Sequence, residues 1–127
     1  MDDTLSILVV DDFSFYVDTL AAILDVNGFI VHKAYSGATA LEIVRKHPVD
    51  ILLTDVRMPG MDGVELVQKT KKICPTVTAI FMTTYSEDEL IRQGKAEGVT
   101  AILDKPLDIE MLLSLFRSIK RINANAY

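Results

Sequence analysis

The chain has 127 residues, half of them hydrophobic, and carries a formal charge of −5 with an isoelectric point near 4.9. That length fits one domain with a real core and leaves no comfortable room for two. The acidic balance lacks the basic footprint that nucleic-acid phosphates require, so no DNA or RNA binding by this chain is expected.

The first twelve residues, MDDTLSILVVDD, have no basic leader, and their apolar run is too short for a signal peptide or a membrane span. Cys74 is the single cysteine, which rules out an internal disulfide and suits a reducing compartment. It reads as a small structural residue. The expectation is a soluble cytoplasmic protein with no membrane partner.

Residues 5–10, LSILVV, form the first apolar run of strand length. A helix follows, with Val17, Leu20, Ala21 and Leu24 at i, i+3, i+4, i+7, Ser14 placed to cap its start and Asn27-Gly28 to stop it. Residues 29–34 and 49–54 are the second and third strands, separated by a further segment of helical spacing. Asp62-x-x-Glu65 opens the third helix as a capping box, and Lys69, Lys71 and Lys72 fall near its negative end. Residues 77–82 are the fourth strand, Ser86-x-x-Glu89 is a second capping box, and Gly98 ends the fourth helix. The fifth strand is residues 100–103, and the fifth helix runs from Asp108 to about Arg121 with Ile109, Leu112, Leu113 and Phe116 on one face. This gives one domain over residues 1–122 and a flexible tail over 123–127.

Strictly alternating strand and helix, with strands apolar on both faces, imply a single doubly wound α/β domain: a parallel five-stranded sheet covered by helices on either side. Such sheets bind their ligands beyond the carboxyl ends of the strands. Those ends carry Asp11 and Asp12 after the first strand, Asp55 after the third, Thr83 and Thr84 after the fourth, and Asp104-Lys105-Pro106 after the fifth. Each has an ordinary reading as a turn, a cap or a satisfied edge hydroxyl; their joint placement after four different strands carries the functional reading.

Gathered carboxylates repel one another, and burial raises their pKa values, so an acidic cluster calls for a cation. Oxygen ligands without clustered Cys or His suit Mg²⁺. One carboxylate oxygen then remains to attack phosphorus while Lys105 neutralises charge on the transferring group, and Asp55, where its strand opens into a loop with Pro59, Gly60 and Gly63, is the candidate nucleophile. His32 and His47 lie apart in the sequence and join no motif, so neither is assigned a metal or phosphohistidine role.

The segments ILVVDD, LLTDVRMPGMDG, IFMTT and ILDKP, in this order and spacing over nearly the whole chain, resemble the receiver domain of two-component response regulators. The resemblance implies a flavodoxin-like sheet of order 2-1-3-4-5 and five helices. It implies that Asp55 accepts a phosphoryl group from a histidine kinase or phosphotransfer protein, and that Asp12, Asp55 and the backbone carbonyl of Arg57 bind Mg²⁺, with Asp11 acting largely through water. It further implies that Lys105 contacts the phosphoryl group, that Thr83 is the switch hydroxyl and that the Lys105-Pro106 peptide is cis. Such a domain is a signalling phosphoacceptor and not an enzyme, although it assists its own phosphorylation and dephosphorylation. Its output is a change in partner binding through the face of the fourth helix, fifth strand and fifth helix.

Three positions depart from the family pattern. Ile102 stands three residues before the lysine, where an aromatic switch is usual, and Tyr85 is the nearest candidate for a related role. Thr84 replaces a small residue and adds bulk at the phosphoryl pocket. Arg57 supplies its carbonyl to the metal position and leaves its side chain to donor, phosphatase or solvent. A haloacid-dehalogenase-type aspartyl phosphohydrolase is the alternative, but such enzymes carry Asp-x-Asp and here Arg57 stands two positions after Asp55. A flavin-binding domain is disfavoured because no Ser/Thr/Gly-rich loop follows the first strand, and a receiver used only as a scaffold because its acceptor, metal and lysine positions are all filled. Met111, Leu115 and Ile122 form a second stripe on the fifth helix; a neighbour or dimer docked through helices four and five is one reading, burial at the chain end the other. No effector sequence follows Arg121, so the downstream partner is left open.

Overall fold

The computed structural model describes residues 4–84 and 88–125, with side chains for all of these but Asp88 and residues 120–125. Five strands and five helices alternate: β1 (Ser6–Val10), α1 (Ser14–Val26), β2 (Ile30–Ala34), α2 (Gly37–Lys46), β3 (Ile51–Asp55), α3 (Gly63–Ile73), β4 (Thr78–Thr83), α4 (Asp88–Ala96), β5 (Ala101–Asp104) and α5 (Ile109–Asn125). All strands pair in parallel in the order β2-β1-β3-β4-β5.

Alternation along each strand divides the core into two layers, because successive side chains leave the sheet on opposite faces. Ile7, Val9, Ile51, Leu53, Ile80 and Met82 face α1 and α5, where Val17, Leu20, Leu24, Leu112 and Phe116 close over them. Leu8, Val10, Leu52, Ala79 and Phe81 face the other way, toward Leu41 and Val44 of α2 and Leu66 and Val67 of α3. Phe29 and Phe116 meet edge to face at 5.7 Å and seal the first layer. β2 is an edge strand and is the most polar of the five, with His32 and Lys33, which suits an edge that must not pair with another chain.

Helix ends follow the sequence signals closely. At the end of α1, Gly28 adopts φ 92° and donates to Asp25 O while Phe29 N donates to Leu24 O. At the end of α4, Gly98 adopts φ 87° and donates to Lys95 O while Val99 N donates to Gly94 O. Both are Schellman endings, open to glycine because it carries no Cβ. Asp62 caps α3 by accepting from Glu65 N at 2.9 Å. Glu65 itself pairs with Lys69 at 2.9 Å. Lys71 reaches across to donate to Gly98 O at 3.2 Å, so part of the basic run closes α4 as well as the end of its own helix. Cys74 is partly buried against the second layer, with Sγ 3.6 Å from Val49 O, as a structural residue should be.

Several expectations change. Ser14 is not a cap: Phe13 holds the N-cap position of α1 without a side-chain cap bond, because the nearby carboxylate, Asp11, is drawn into the sheet-end cluster and accepts from Phe13 N instead. β3, β4 and β5 each extend one residue further than the apolar runs, to Asp55, Thr83 and Asp104, since the ladder keeps pairing Asp55 with Met82 and Thr83 with Asp104. Helix α5 continues to Asn125, because no Gly or Pro interrupts it after Arg121. The Ser86 capping box and Tyr85 lie outside the described residues, as does the side chain of Ile122. Met111 is half exposed on α5, while Leu115 packs against the first layer.

The fold brings His32 of β2 onto His47, which caps the end of α2, with rings stacked at 5.1 Å and 17°. Burial lowers the His32 pKa and the charge of His47 lowers it further. The unfolded chain therefore binds a proton more readily than the folded one below the ordinary histidine value of 6.5. Stability is expected to be full above that pH and to fall as pH drops through the folded pKa. His47→Asn removes the repulsion, so urea midpoints compared at about pH 7.5 and about pH 5.5 should show a smaller acid-side loss in the variant. Equal losses would count against the coupling.

Candidate functional site

The crevice between β1 and β3 is where the strand order reverses, since β1 pairs with β2 on one side and β3 on the other. Asp11 extends the β1–β2 ladder by donating its N–H to Ala34 O, which brings its side chain to the carboxyl edge. Asp55 is held as the last residue of β3. The loop after it is drawn down by the buried side chains of Val56 and Met58 and closed by Gly63 N donating to Val56 O at 2.7 Å. Gly63 is required here: a Cβ on it would lie 2.5 Å from the Asp55 carbonyl oxygen.

Asp11, Asp12 and Asp55 each offer a carboxylate oxygen, all within 4.8 Å of one another. Asp11 is 1% exposed and Asp12 lies open to solvent. Lys105 enters from the end of β5, positioned by its own N–H donating to Thr83 O at 2.8 Å. Its Nζ lies 2.5 Å from Asp11 Oδ2 and 3.4 Å from Asp55 Oδ2. Asp55 Oδ1 accepts from Val56 N at 2.8 Å. The Lys105-Pro106 peptide is cis.

Burial raises the Asp55 pKa, the charge of Asp11 raises it further, and Lys105 opposes both. Burial works against the Lys105 ammonium, but its bond to Asp11 and the charge of Asp55 outweigh that and raise its pKa. Three carboxyl groups and one lysine amine thus share one spot. The donor set is all oxygen, so the residues present fit a hard divalent cation.

The open cleft over this cluster, about 450 Å³, is walled by Phe13, Tyr16, Thr84 and Pro106 as well as the charged residues. Thr84 sits in that wall. Thr83 is buried at the end of β4 beside Asp104 of β5. Arg57 lies in the loop two residues beyond Asp55 with its side chain exposed. Ile102 is partly buried against the second layer. Tyr16 was not singled out by the sequence: its ring covers Lys105 Nζ at 4.8 Å from the centroid. The signal for it was its place in the first turn of α1, four residues after Asp12.

The family profile described as response regulator receiver domain matches residues 7–117. The chain belongs to the response regulator receiver family. Sporulation initiation phosphotransferase F of Bacillus subtilis is 32% identical over 119 residues, covering 94% of this receiver and 96% of that protein. A response regulator receiver protein of Anaeromyxobacter sp. is 39% identical over 85% of this receiver, which spans 45% of its length. The transcriptional regulatory protein ZraR of Escherichia coli is 39% identical over 87% of this receiver, which spans 25% of it. Among solved structures, a CheY-like receiver domain protein from Methanospirillum hungatei matches with a TM-score of 0.92 at 26% identity, covering 98% of this receiver and 99% of that chain. Chemotaxis protein CheY4 of Vibrio cholerae matches with a TM-score of 0.82 at 30% identity, covering 91% and 98%.

Receiver domains are signalling domains of two-component systems, typically bind Mg²⁺ at an acidic pocket, and interact with histidine kinases and effector domains. No helix among the described residues is long and apolar enough to cross a membrane.

Proposed function

We propose that this receiver takes a phosphoryl group from a phosphohistidine of a histidine kinase or phosphotransfer protein onto Asp55, with Mg²⁺, in the cytoplasm, and acts as a signalling phosphoacceptor without substrate turnover of its own. The observation that carries this reading is the convergence of Asp11, Asp12 and Asp55 within 4.8 Å, with Lys105 bonded to two of them, at the one place where the sheet reverses. Asp11, Asp12, Asp55 and the Arg57 carbonyl would hold the metal, which supplies charge neutralisation for an approaching phosphate.

An Asp55 carboxylate oxygen forms the new bond to phosphorus while the phosphorus–nitrogen bond of the donor breaks. The electron pair returns to the imidazole nitrogen, which then takes a proton. Val56 N–H holds one Asp55 oxygen at 2.8 Å and so fixes the orientation of the other. Lys105 neutralises a phosphoryl oxygen from its seat at the end of β5. Thr83, one strand away, is the hydroxyl that reports the new charge by moving toward it. Partner binding then shifts through α4, β5 and α5, where exposed Met111 is an apolar contact, and docking or dimerisation there is the expected output.

The test is incubation with phosphoramidate and Mg²⁺, followed by intact-mass measurement and sedimentation. One phosphoryl group per chain is expected, lost when the metal is chelated, together with a change in association state or partner capture. Labelling that is indifferent to chelation would overturn the metal assignment, and a labelled chain that stays monomeric would overturn the dimer.

A further inference from the structure

Lys105 carries a compact charge on a flexible four-carbon stem, and such a side chain loses much rotamer freedom when it is held in one place. Among the described residues it has three anchors: Asp11 at 2.5 Å, Asp55 at 3.4 Å and the face of Tyr16 at 4.8 Å. The first two do not survive the proposed reaction unchanged. Asp55 becomes an acyl phosphate, and Asp11 belongs to the cluster that would hold the metal. The aromatic face is indifferent to both events, because its attraction for an ammonium comes from the ring quadrupole.

The ring is also well seated. Tyr16 is half-buried, packs against the first core layer, and lines a pocket together with Pro106 and Leu107. It thereby ties the first turn of α1 to the segment that follows Lys105-Pro106. It also walls the cleft that holds Asp55.

We infer that Tyr16 is a positioning residue that keeps the Lys105 ammonium aimed into the phosphoryl pocket while the phosphoryl group is transferred to Asp55, and so sets the rate at which this receiver gains it. The inference rests on the phosphoacceptor reading above and adds a regulator of that site.

The experiment compares wild type, Tyr16→Phe, Tyr16→Leu, Lys105→Ala and the Tyr16→Leu/Lys105→Ala double variant. Two readouts are taken: the NMR shift of the Lys105 ε-methylene protons in the metal-free protein, and the rate of phosphoryl uptake from phosphoramidate with Mg²⁺. The wild-type ε-protons should lie upfield through the ring current, stay there in Tyr16→Phe and return to the ordinary lysine position in Tyr16→Leu. Uptake should fall about five-fold in Tyr16→Leu, be retained in Tyr16→Phe and fall no further in the double variant than in Lys105→Ala alone.

Equal uptake by wild type and Tyr16→Leu would overturn the inference and leave the phosphoacceptor reading standing. Equal loss in Tyr16→Phe and Tyr16→Leu would overturn it in favour of a role for the Tyr16 hydroxyl. A wild type that takes no label would overturn the phosphoacceptor reading itself, and this inference with it.

Discussion

An Asp55→Asn protein is expected to take no phosphoryl group and yet to unfold at a higher temperature than wild type in the absence of Mg²⁺. The first outcome follows because the amide offers no anionic oxygen to form the bond to phosphorus. The second follows from the electrostatics of the cluster. Burial and Asp11 together work against the Asp55 charge more strongly than Lys105 supports it, so removing that charge relieves the folded state. A gain of about 1 kcal/mol, or about 4 °C for a chain of this size, is the expected scale. Adding Mg²⁺ should stabilise wild type by ligand linkage and stabilise the variant much less. Thermal scans of both proteins with and without the metal check this. A variant less stable than wild type in chelator would mean that Lys105 already satisfies the cluster.

Gly63→Ala is expected to be the most damaging small substitution near the site. The new methyl would stand 2.5 Å from the Asp55 carbonyl oxygen and 3.0 Å from Val56 Cα, both backbone atoms with no rotamer to change. Either α3 must back away or the end of β3 must shift, at a cost of about 3 kcal/mol and about 10 °C. Phosphoryl uptake should fall as well, because the carboxylate would be displaced from Val56 N–H and Lys105. Gly60 provides the contrast. It also turns with a positive φ, 76°, but has open space around it, so Gly60→Asn should cost less than about 1 kcal/mol. Urea unfolding of the two variants side by side distinguishes clash from conformation.

The strand ends and helix stops were legible in the sequence because their causes are local. Apolar runs that stop at Asp11 and Asp55, glycine at positions 28 and 98, and Asp62 ahead of its helix each reflect chemistry within a few residues. The strand order could not be read from such runs and came from the family resemblance, because pairing is a property of separate segments. For the same reason the meeting of His32 with His47 was missed. One sits on an edge strand and the other at the end of the helix leading away from it, and only the crossover brings the rings together. Tyr16 and Lys105 lie on opposite sides of nearly the whole chain, and the aromatic gave no sign of its partner. Ser14 failed as a cap because Phe13 takes the N-cap position. The carboxylate that serves this turn, Asp11, is shared with the acidic cluster and with Lys105.

The departures from the family pattern have physical content in this structure. Ile102 lies against the second core layer and offers no aromatic ring beside Thr83. Thr84 stands in the wall of the cleft that Asp55 also lines.

The most direct measurement is the chemical identity of the labelled residue. Protein phosphorylated with phosphoramidate and Mg²⁺ is treated with borohydride, which reduces an acyl phosphate on aspartate to homoserine, and the digest is sequenced by mass spectrometry. Homoserine at position 55 and nowhere else is the predicted result. Homoserine at Asp11 or Asp12, or a phosphorylated histidine with Asp55 intact, would contradict the assignment of this cluster as a phosphoacceptor built around Asp55.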